Sequence, residues 1–169
     1  MAKIQGIKKL GKLNLSSTYI LLISPEYIPH LALVTKGKYF SLTHKKAFMN
    51  ESFDPYFKFL RRSKRKMLFI ELEGDLLDPE DVFSRYEKAS VGSTTCLLPV
   101  RECVLPRSKA GFIFELVPDL YEGGKIKGAY QVNMDDDIND LGEFNLTVYD
   151  KEAIFSYIES LNEKYAKRG

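Results

Sequence analysis

Two short β-prone runs on either side of a glycine turn are the feature that most constrains the fold of this chain. The runs HLALVT and KYFSLTH, within residues 30–44, flank Lys36-Gly37, and this pattern predicts a β-hairpin. A two-residue loop would set His30 opposite Thr43, whereas a three-residue loop would set it opposite His44. In either register, the two histidines of the 169-residue chain come within one residue of facing each other across two strands.

Apolar runs and helix-capping signals alternate along the rest of the chain. They predict buried strands at 19–23 and 67–73, a second hairpin with strands 111–117 and 125–134 around Gly123-Gly124, and a further strand at 144–149. Asp54-Pro55 and Asp78-Pro79 are typical of helix starts, and Asp150 predicts the cap of a closing helix. The first of these helices is expected to carry Tyr56, Phe59 and Leu60 inward. Hairpins outnumber parallel crossovers, so the predicted class is α+β: an antiparallel sheet built from hairpins with three or four helices packed on it.

Composition places the chain among single-domain globular proteins. With 44% hydrophobic residues and a net charge of +2, residues 1–169 can form one core and carry no strong polyanion-binding signal. Residues 1–14 are expected to form a flexible basic arm or an edge strand, and residues 105–169 an added hairpin-strand-helix layer. No run approaches the roughly 18–20 apolar residues of a membrane span, and two cysteines are too few for a disulfide scaffold. We therefore expect a cytoplasmic protein, and the oligomeric state stays open.

Cys96 lies in a stretch that favours neither a helix nor a strand. Pro99 is tolerated in the first turn of a helix, so Thr95 or Cys96 could begin one, while the β-branched residues nearby permit a strand. A thiol is a useful nucleophile as its thiolate, which a neighbouring imidazole and a helix N-terminus both favour. The imidazole must in turn be held in one tautomer by a third polar group, which a cross-strand neighbour can supply.

These residues resemble a family, the circularly permuted papain-like thiol enzymes. The family includes lecithin:retinol acyltransferase, its phospholipase relatives and the desumoylating isopeptidases. The hairpin from Pro29 to His44 is similar to the family's His-bearing strand, glycine turn and second strand, and the segment from Tyr86 through Gly92 to Ser93-Thr94-Thr95-Cys96 is similar to its Cys-bearing part. The resemblance covers about residues 18–104.

The resemblance implies a catalytic set of Cys96 as nucleophile, His30 as base and His44 as orienting residue. It implies a cysteine-dependent hydrolase or acyltransferase that acts on an amide or ester of a small molecule, peptide or lipid. Thr95 stands where the family often has Asn before its Cys. No cofactor and no metal are predicted, because the histidines and cysteines lack the close spacing of zinc ligands.

A structural interpretation competes with the catalytic one. In it, His30 and His44 are ordinary strand-end residues and Cys96 is a buried small hydrophobe, as free cysteines usually are. Cys103 is the rival nucleophile, and we expect it to be buried and structural. If residues 97–103 are helical, they rise about 10.5 Å, too far for a Cys96–Cys103 disulfide.

A basic run offers an alternative function of another class. Cationic side chains beside aromatic ones could bind phosphates and stack bases, which would make the chain a non-enzymatic module for nucleic acid or an acidic protein. Short basic runs are also common as solvated helix ends, so nucleic acid is not the favoured partner. The run comprises Lys58, Arg61, Arg62, Lys64, Arg65 and Lys66.

Overall fold

A computed structural model describes residues 2–90 and 95–168 of the chain. Its main sheet has seven strands: β2 (Ile7–Lys9), β3 (Thr18–Ile23), β4 (His30–Thr35), β5 (Lys38–Leu42), β6 (Ala47–Ser52), β7 (Met67–Leu72) and β8 (Ile126–Val132). A separate two-stranded sheet pairs β1 (Lys3–Ile4) with β9 (Phe144–Asn145). The described residues form five helices: α1 (Phe53–Arg62), α2 (Pro79–Phe83), α3 (Leu97–Val104), α4 (Ile113–Glu122) and α5 (Lys151–Arg168).

The main sheet has the order β2-β8-β7-β3-β4-β5-β6 and is antiparallel except for the pair β2–β8. This arrangement confirms the α+β class. Strand β3 lies in the middle, between β7 and β4, and is buried on both faces, which explains why its sequence is a continuous apolar run. Strand β2 confirms the edge-strand alternative for the N-terminal segment.

The two faces of the sheet are covered by different helices. On one face, side chains such as Leu22, Leu31 and Leu68 pack with buried residues of α2, α3 and α4. On the other face, Tyr19, Ala32 and their neighbours pack against the apolar side of α1. Successive side chains of a strand point to opposite faces of the sheet, so odd and even positions of one strand pack against different helices.

The hairpin register follows the two-residue loop. Thr35 pairs with Lys38 and Leu33 with Phe40, so His30 lies on the level of Thr43 and the three-residue alternative that pairs it with His44 is wrong. Lys36 and Gly37 have φ values of 51° and 74°, which is the left-handed geometry of a tight hairpin turn.

Several local predictions are wrong for identifiable reasons. Residues 113–122 form helix α4 and not a strand, because Ile113, Leu116, Val117 and Leu120 are buried at helical spacing in a segment that is also rich in β-formers. The strand predicted at 144–149 is confined to β9. Ser52, not Asp54, precedes α1, and this shift buries Phe53, Phe57 and Leu60 and exposes Phe59.

The hairpin turn generates a stability prediction. A lysine in the left-handed region is strained, whereas asparagine tolerates it, so Lys36→Asn should raise the free energy of unfolding by about 0.5–1 kcal/mol. Gly37→Ala should lower the free energy of unfolding by about 1 kcal/mol, because the alanine would have to keep a positive φ and its Cβ would lie 3.3 Å from Leu15 Cδ2. Urea unfolding of both variants measures the changes, and equal changes of one sign would contradict this account of the turn.

Candidate functional site

A cavity of about 790 Å³ opens at the end of the main sheet where β4 begins and β5 finishes. Its wall includes all three residues of the predicted catalytic set, His30, His44 and Cys96. Segments far apart in the sequence supply the remainder of the lining. These include Tyr39, Phe48, Tyr56, Arg65, Ala89, Ile154, Tyr157, Ile158 and Leu161.

The two faces of the sheet meet at this cavity. His30 has the same strand parity as Ala32, whose side chain packs on the face covered by α1. Cys96 packs instead against the core on the opposite face, where Leu31 lies. Residues of both layers therefore line the same cavity.

His30 is held by a hydrogen bond to a buried serine. Its Nε2 atom lies 2.6 Å from the Oγ atom of Ser41, and Ser41 has no exposed surface. The two-residue turn sets Ser41 opposite Ala32, so Ser41 and His30 project from the same face of neighbouring strands. The contact thus follows from the hairpin register.

The imidazole of His30 is neutral at physiological pH. Burial, which is the largest cause, together with the guanidinium of Arg65 and the ring of His44 lowers the pKa of His30 to about 4. A neutral imidazole carries one N–H and one lone pair, so it can accept a proton from a neighbouring thiol.

Cys96 occupies the N-cap position of α3 without a side-chain capping hydrogen bond, so the residues that follow it form a helix and not a strand. Burial raises the pKa of the Cys96 thiol, and hydrogen bonds from the backbone N–H groups of Leu31 and of Cys96 itself oppose that rise. The resting site therefore holds an uncharged thiol and an uncharged imidazole. The thiol needs a base before it can attack, and the helix N-terminus then favours the resulting anion.

His44 lies two residues beyond the end of β5, on the cavity wall. Burial and the ammonium of Lys45 lower the pKa of His44. The hydrogen-bond partner of His30 Nε2 is Ser41. His44 affects His30 through electrostatic repulsion, which lowers the pKa of His30.

Cys103 lies in the core, away from the cavity lining. The residue is 1% exposed in α3, and burial together with the carboxylate of Glu102 raises the pKa of its thiol to about 12. Both Cys96 and Cys103 are free thiols. The buried position of Cys103 agrees with a structural role.

The basic run lies on α1 and on the turn that follows it, and part of its charge is neutralised. Lys58 pairs with Asp54 at 2.9 Å, and Lys66 pairs with Asp137 at 3.0 Å. Phe59 is 57% exposed and its ring stacks on Tyr56, so the expectation that it faces inward is wrong. The exposed cations that remain are Arg61, Arg62, Lys64 and Arg65.

Sequence reasoning missed three parts of the site. Ser41 and Tyr39 belong to the strand that carries the predicted set, and the alternation of β5 from the Lys36-Gly37 turn was a usable signal for both. The apolar stripe of α5 lines part of the cavity. Its helical spacing predicted a helix, but the sequence did not indicate which part of the protein this helix packs against. Of the segment from Tyr86 to Cys96, residues 91–94 lie outside the described residues.

Comparisons with protein-family models, curated proteins and solved structures found no match for this chain. The resemblance to permuted papain-like enzymes therefore stays a prediction. Within residues 2–90 and 95–168, no three His, Cys, Asp or Glu side chains form a group that could hold a metal ion. Nor does any helix in that part of the chain have the length and apolarity needed to cross a membrane.

The lowered pKa of His30 generates a prediction of pH-dependent stability. The unfolded chain, with a histidine pKa of 6.5, takes up a proton before the folded chain, where the pKa is about 4, so acidification below pH 6.5 favours unfolding. Between pH 7 and pH 5 this loss amounts to about 2 kcal/mol.

His30→Gln is the matched variant, because its amide can still bond to Ser41 but does not titrate in this range. Urea unfolding of both proteins at pH 7 and pH 5 should show the additional loss only in the protein that retains His30. An equal loss in both would assign the pH dependence to other groups.

Proposed function

We propose that the chain is a cysteine-dependent hydrolase or acyltransferase that acts on an amide or ester through Cys96, His30 and His44. The observation that supports it is the shared cavity, whose lining includes both a thiol at the start of a helix and a neutral imidazole held by a serine. Ser41 joins the site as the residue that positions the imidazole, and His44 is the second ring beside it.

The proposed reaction has two acyl-transfer steps. His30 takes the thiol proton of Cys96 as the sulfur bonds to the substrate carbonyl carbon, and backbone N–H groups at the start of α3 stabilise the oxyanion. Protonated His30 then gives the proton to the leaving amine or alcohol as the C–N or C–O bond breaks, which leaves a thioester. In the second step water or an acceptor alcohol or amine attacks the thioester carbonyl and loses its proton to His30. The C–S bond then breaks, the acid, ester or amide product leaves, and His30 returns the proton to the sulfur of Cys96.

The first test compares the reactivity of the two thiols with iodoacetamide at pH 7. Cys103, with a pKa of about 12, is thiolate in about one molecule in 10⁵, so its alkylation in the folded protein should be negligible. Cys96 should react at least about tenfold faster, and His30→Ala should remove that excess, since it removes the base.

Single-thiol variants make this comparison clean. Cys103→Ser reports Cys96 alone, and Cys96→Ser reports Cys103 alone under the same conditions. His30→Gln keeps a hydrogen-bond partner for Ser41 and should lose the excess as His30→Ala does. Equal and slow labelling of both thiols would refute the proposal.

A second candidate function, binding of a polyanion, is favoured by the surface of α1. The exposed ring of Phe59 lies on the same helix as Arg61 and Arg62, and exposed aromatic rings among cations are the elements that stack bases and neutralise phosphates. This function would use the outer side of α1 and would not require Cys96.

Its test is the binding of a single-stranded oligonucleotide at several salt concentrations. Replacing Arg61, Arg62, Lys64 and Arg65 by Gln should weaken binding and flatten its salt dependence by about 0.7 per lost phosphate contact. Phe59→Ala should cost about 1–3 kcal/mol of binding free energy without changing that slope. Lys58→Gln, which removes a cation already paired with Asp54, is the control expected to have little effect. Absence of binding at low salt would exclude this function.

A further inference from the structure

The cavity that contains His30 carries little formal charge for its size. Its lining is mostly apolar or aromatic, and among the described residues that line it one arginine, Arg65, and one glutamate, Glu51, are charged. The pKa values of His30 and His44 are lowered and that of the Cys96 thiol is raised, so these three groups favour their uncharged forms at pH 7. In a mostly apolar cavity, the few charged groups decide which ligands are selected.

The backbone of Arg65 is held in place, while most of its guanidinium stays available. Its N–H donates to the carbonyl oxygen of Leu60 at 3.0 Å, and its own carbonyl oxygen accepts from Asn133 Nδ2 at 2.9 Å. The guanidinium donates from Nη2 to the hydroxyl of Ser24 at 3.2 Å. A guanidinium has several further N–H donors, which here can bind water or a ligand.

No carboxylate neutralises Arg65 within residues 2–90 and 95–168. Two other cations of the basic run are paired, Lys58 with Asp54 at 2.9 Å and Lys66 with Asp137 at 3.0 Å. Arg65 is exposed and lines the cavity, so its charge reaches both the solvent and the cavity interior. An arginine in this position attracts an anionic ligand and repels a cationic one.

Arg65 lies near the reacting groups but not directly beside them in the sheet. Met67, two residues after Arg65, is the Cα partner of Ile23, and Ile23 is the Cα partner of His30. Two strand spacings, roughly 10 Å, therefore separate the strand that follows Arg65 from the strand that begins at His30. Burial and then the charge of Arg65 lower the pKa of His30, which agrees with this proximity. A group bound to Arg65 would lie several bonds away from the carbonyl that Cys96 attacks.

Glu51 lies on the other side of His30 from Arg65. It belongs to the edge strand β6, where it is the Cα partner of Tyr39, whereas Arg65 precedes β7. The sheet order β7-β3-β4-β5-β6 places β4, which begins with His30, between these two strands. The cavity is therefore positive on the β7 side and negative on the β6 side, so an anionic group is favoured only on the side of Arg65.

We propose that Arg65 is a specificity-determining residue that binds a carboxylate of the acyl substrate, whose remaining part packs on the apolar lining. The planar fork of a guanidinium matches the two oxygens of a carboxylate. A phosphate fits less well, because its additional charge and third oxygen would find no second cation among the described lining residues. The proposal rests on the proposed function in one respect, which is that the molecule bound by Arg65 is the substrate of Cys96.

Equilibrium binding of octanoate to the full chain tests the charge preference without requiring a reaction. Octanoate joins a carboxylate to an apolar chain, and octanamide is its uncharged counterpart. Isothermal titration calorimetry at pH 7 should show octanoate binding at least about tenfold more tightly than octanamide, which is the effect of one hydrogen-bonded charge pair. Arg65→Gln should weaken the binding of octanoate about tenfold and leave that of octanamide unchanged.

A matched variant and a charge reversal serve as controls for this binding experiment. Arg62 is an exposed cation of the same basic run outside the cavity lining, so Arg62→Gln should leave the affinity for octanoate unchanged. Arg65→Glu should reverse the preference, so that octylammonium binds more tightly than octanoate. Octanoate that does not bind, that binds no more tightly than octanamide, or that binds equally well to Arg65→Gln would overturn the proposal.

A pair of thiol reagents connects the carboxylate site to Cys96. Iodoacetamidohexanoate and N-hexyl iodoacetamide share one reactive group and differ in the terminal carboxylate. In a Cys103→Ser background, Cys96 should react faster with the charged reagent, and Arg65→Gln should lower the ratio of the two rates about tenfold. This ratio cancels any change in the intrinsic reactivity of the thiol.

The two experiments together separate this proposal from the proposed function. Octanoate binding that depends on Arg65, together with the expected rate ratio, supports both. Octanoate binding that depends on Arg65, with Cys96 no more reactive toward iodoacetamide than Cys103, supports the carboxylate site and refutes the thiol enzyme. A reactive Cys96 that alkylates equally fast with both reagents supports the thiol enzyme and overturns the role of Arg65.

Discussion

The two-residue turn at Lys36-Gly37 fixes the register of β4 against β5, and the polar contacts of His30 depend on that register. A slip of one residue would reverse the parity of β5 and turn Ser41 and Tyr39 to the opposite face of the sheet. His30 would then have no hydroxyl beside Nε2 from this strand. The left-handed backbone at two successive residues is thus as much a part of the site as the side chains that line it.

The electrostatics of the site result from burial more than from charge. Burial is the largest cause that favours the neutral forms of His30 and Cys96, and the charge of Arg65 has a smaller effect on His30. The chemistry of a neutral thiol and imidazole depends on which atom bears each proton, and the bond of His30 to Ser41 joins two uncharged side chains. This gives hydrogen bonds between uncharged groups, such as that of Ser41, a larger role than ion pairs.

The sequence was sufficient for features determined by local chemistry. The hairpin, the apolar strand β3 and the Asp78 cap follow from turn residues, β-branched runs and capping preferences, and the proximity of His30 and His44 follows from counting residues across one turn. Helix α4 could not be recognised in the same way, because Ile113 to Val117 is a short apolar run that suits either a strand or a buried helix. Ser41 was missed because an ordinary serine in a strand has no signature until the strand's facing direction is known.

The edge of the main sheet beside β8 has a consequence for how the protein is made. Strand β2 comes from the first ten residues, yet its partner β8 lies in the last third of the chain, where Ile7 pairs with Ala129. During synthesis β2 therefore emerges well before β8, and it lacks this partner until β8 has been made. The four lysines within residues 1–12 give this waiting segment a repulsive charge, a feature that keeps unpaired strands from associating with one another.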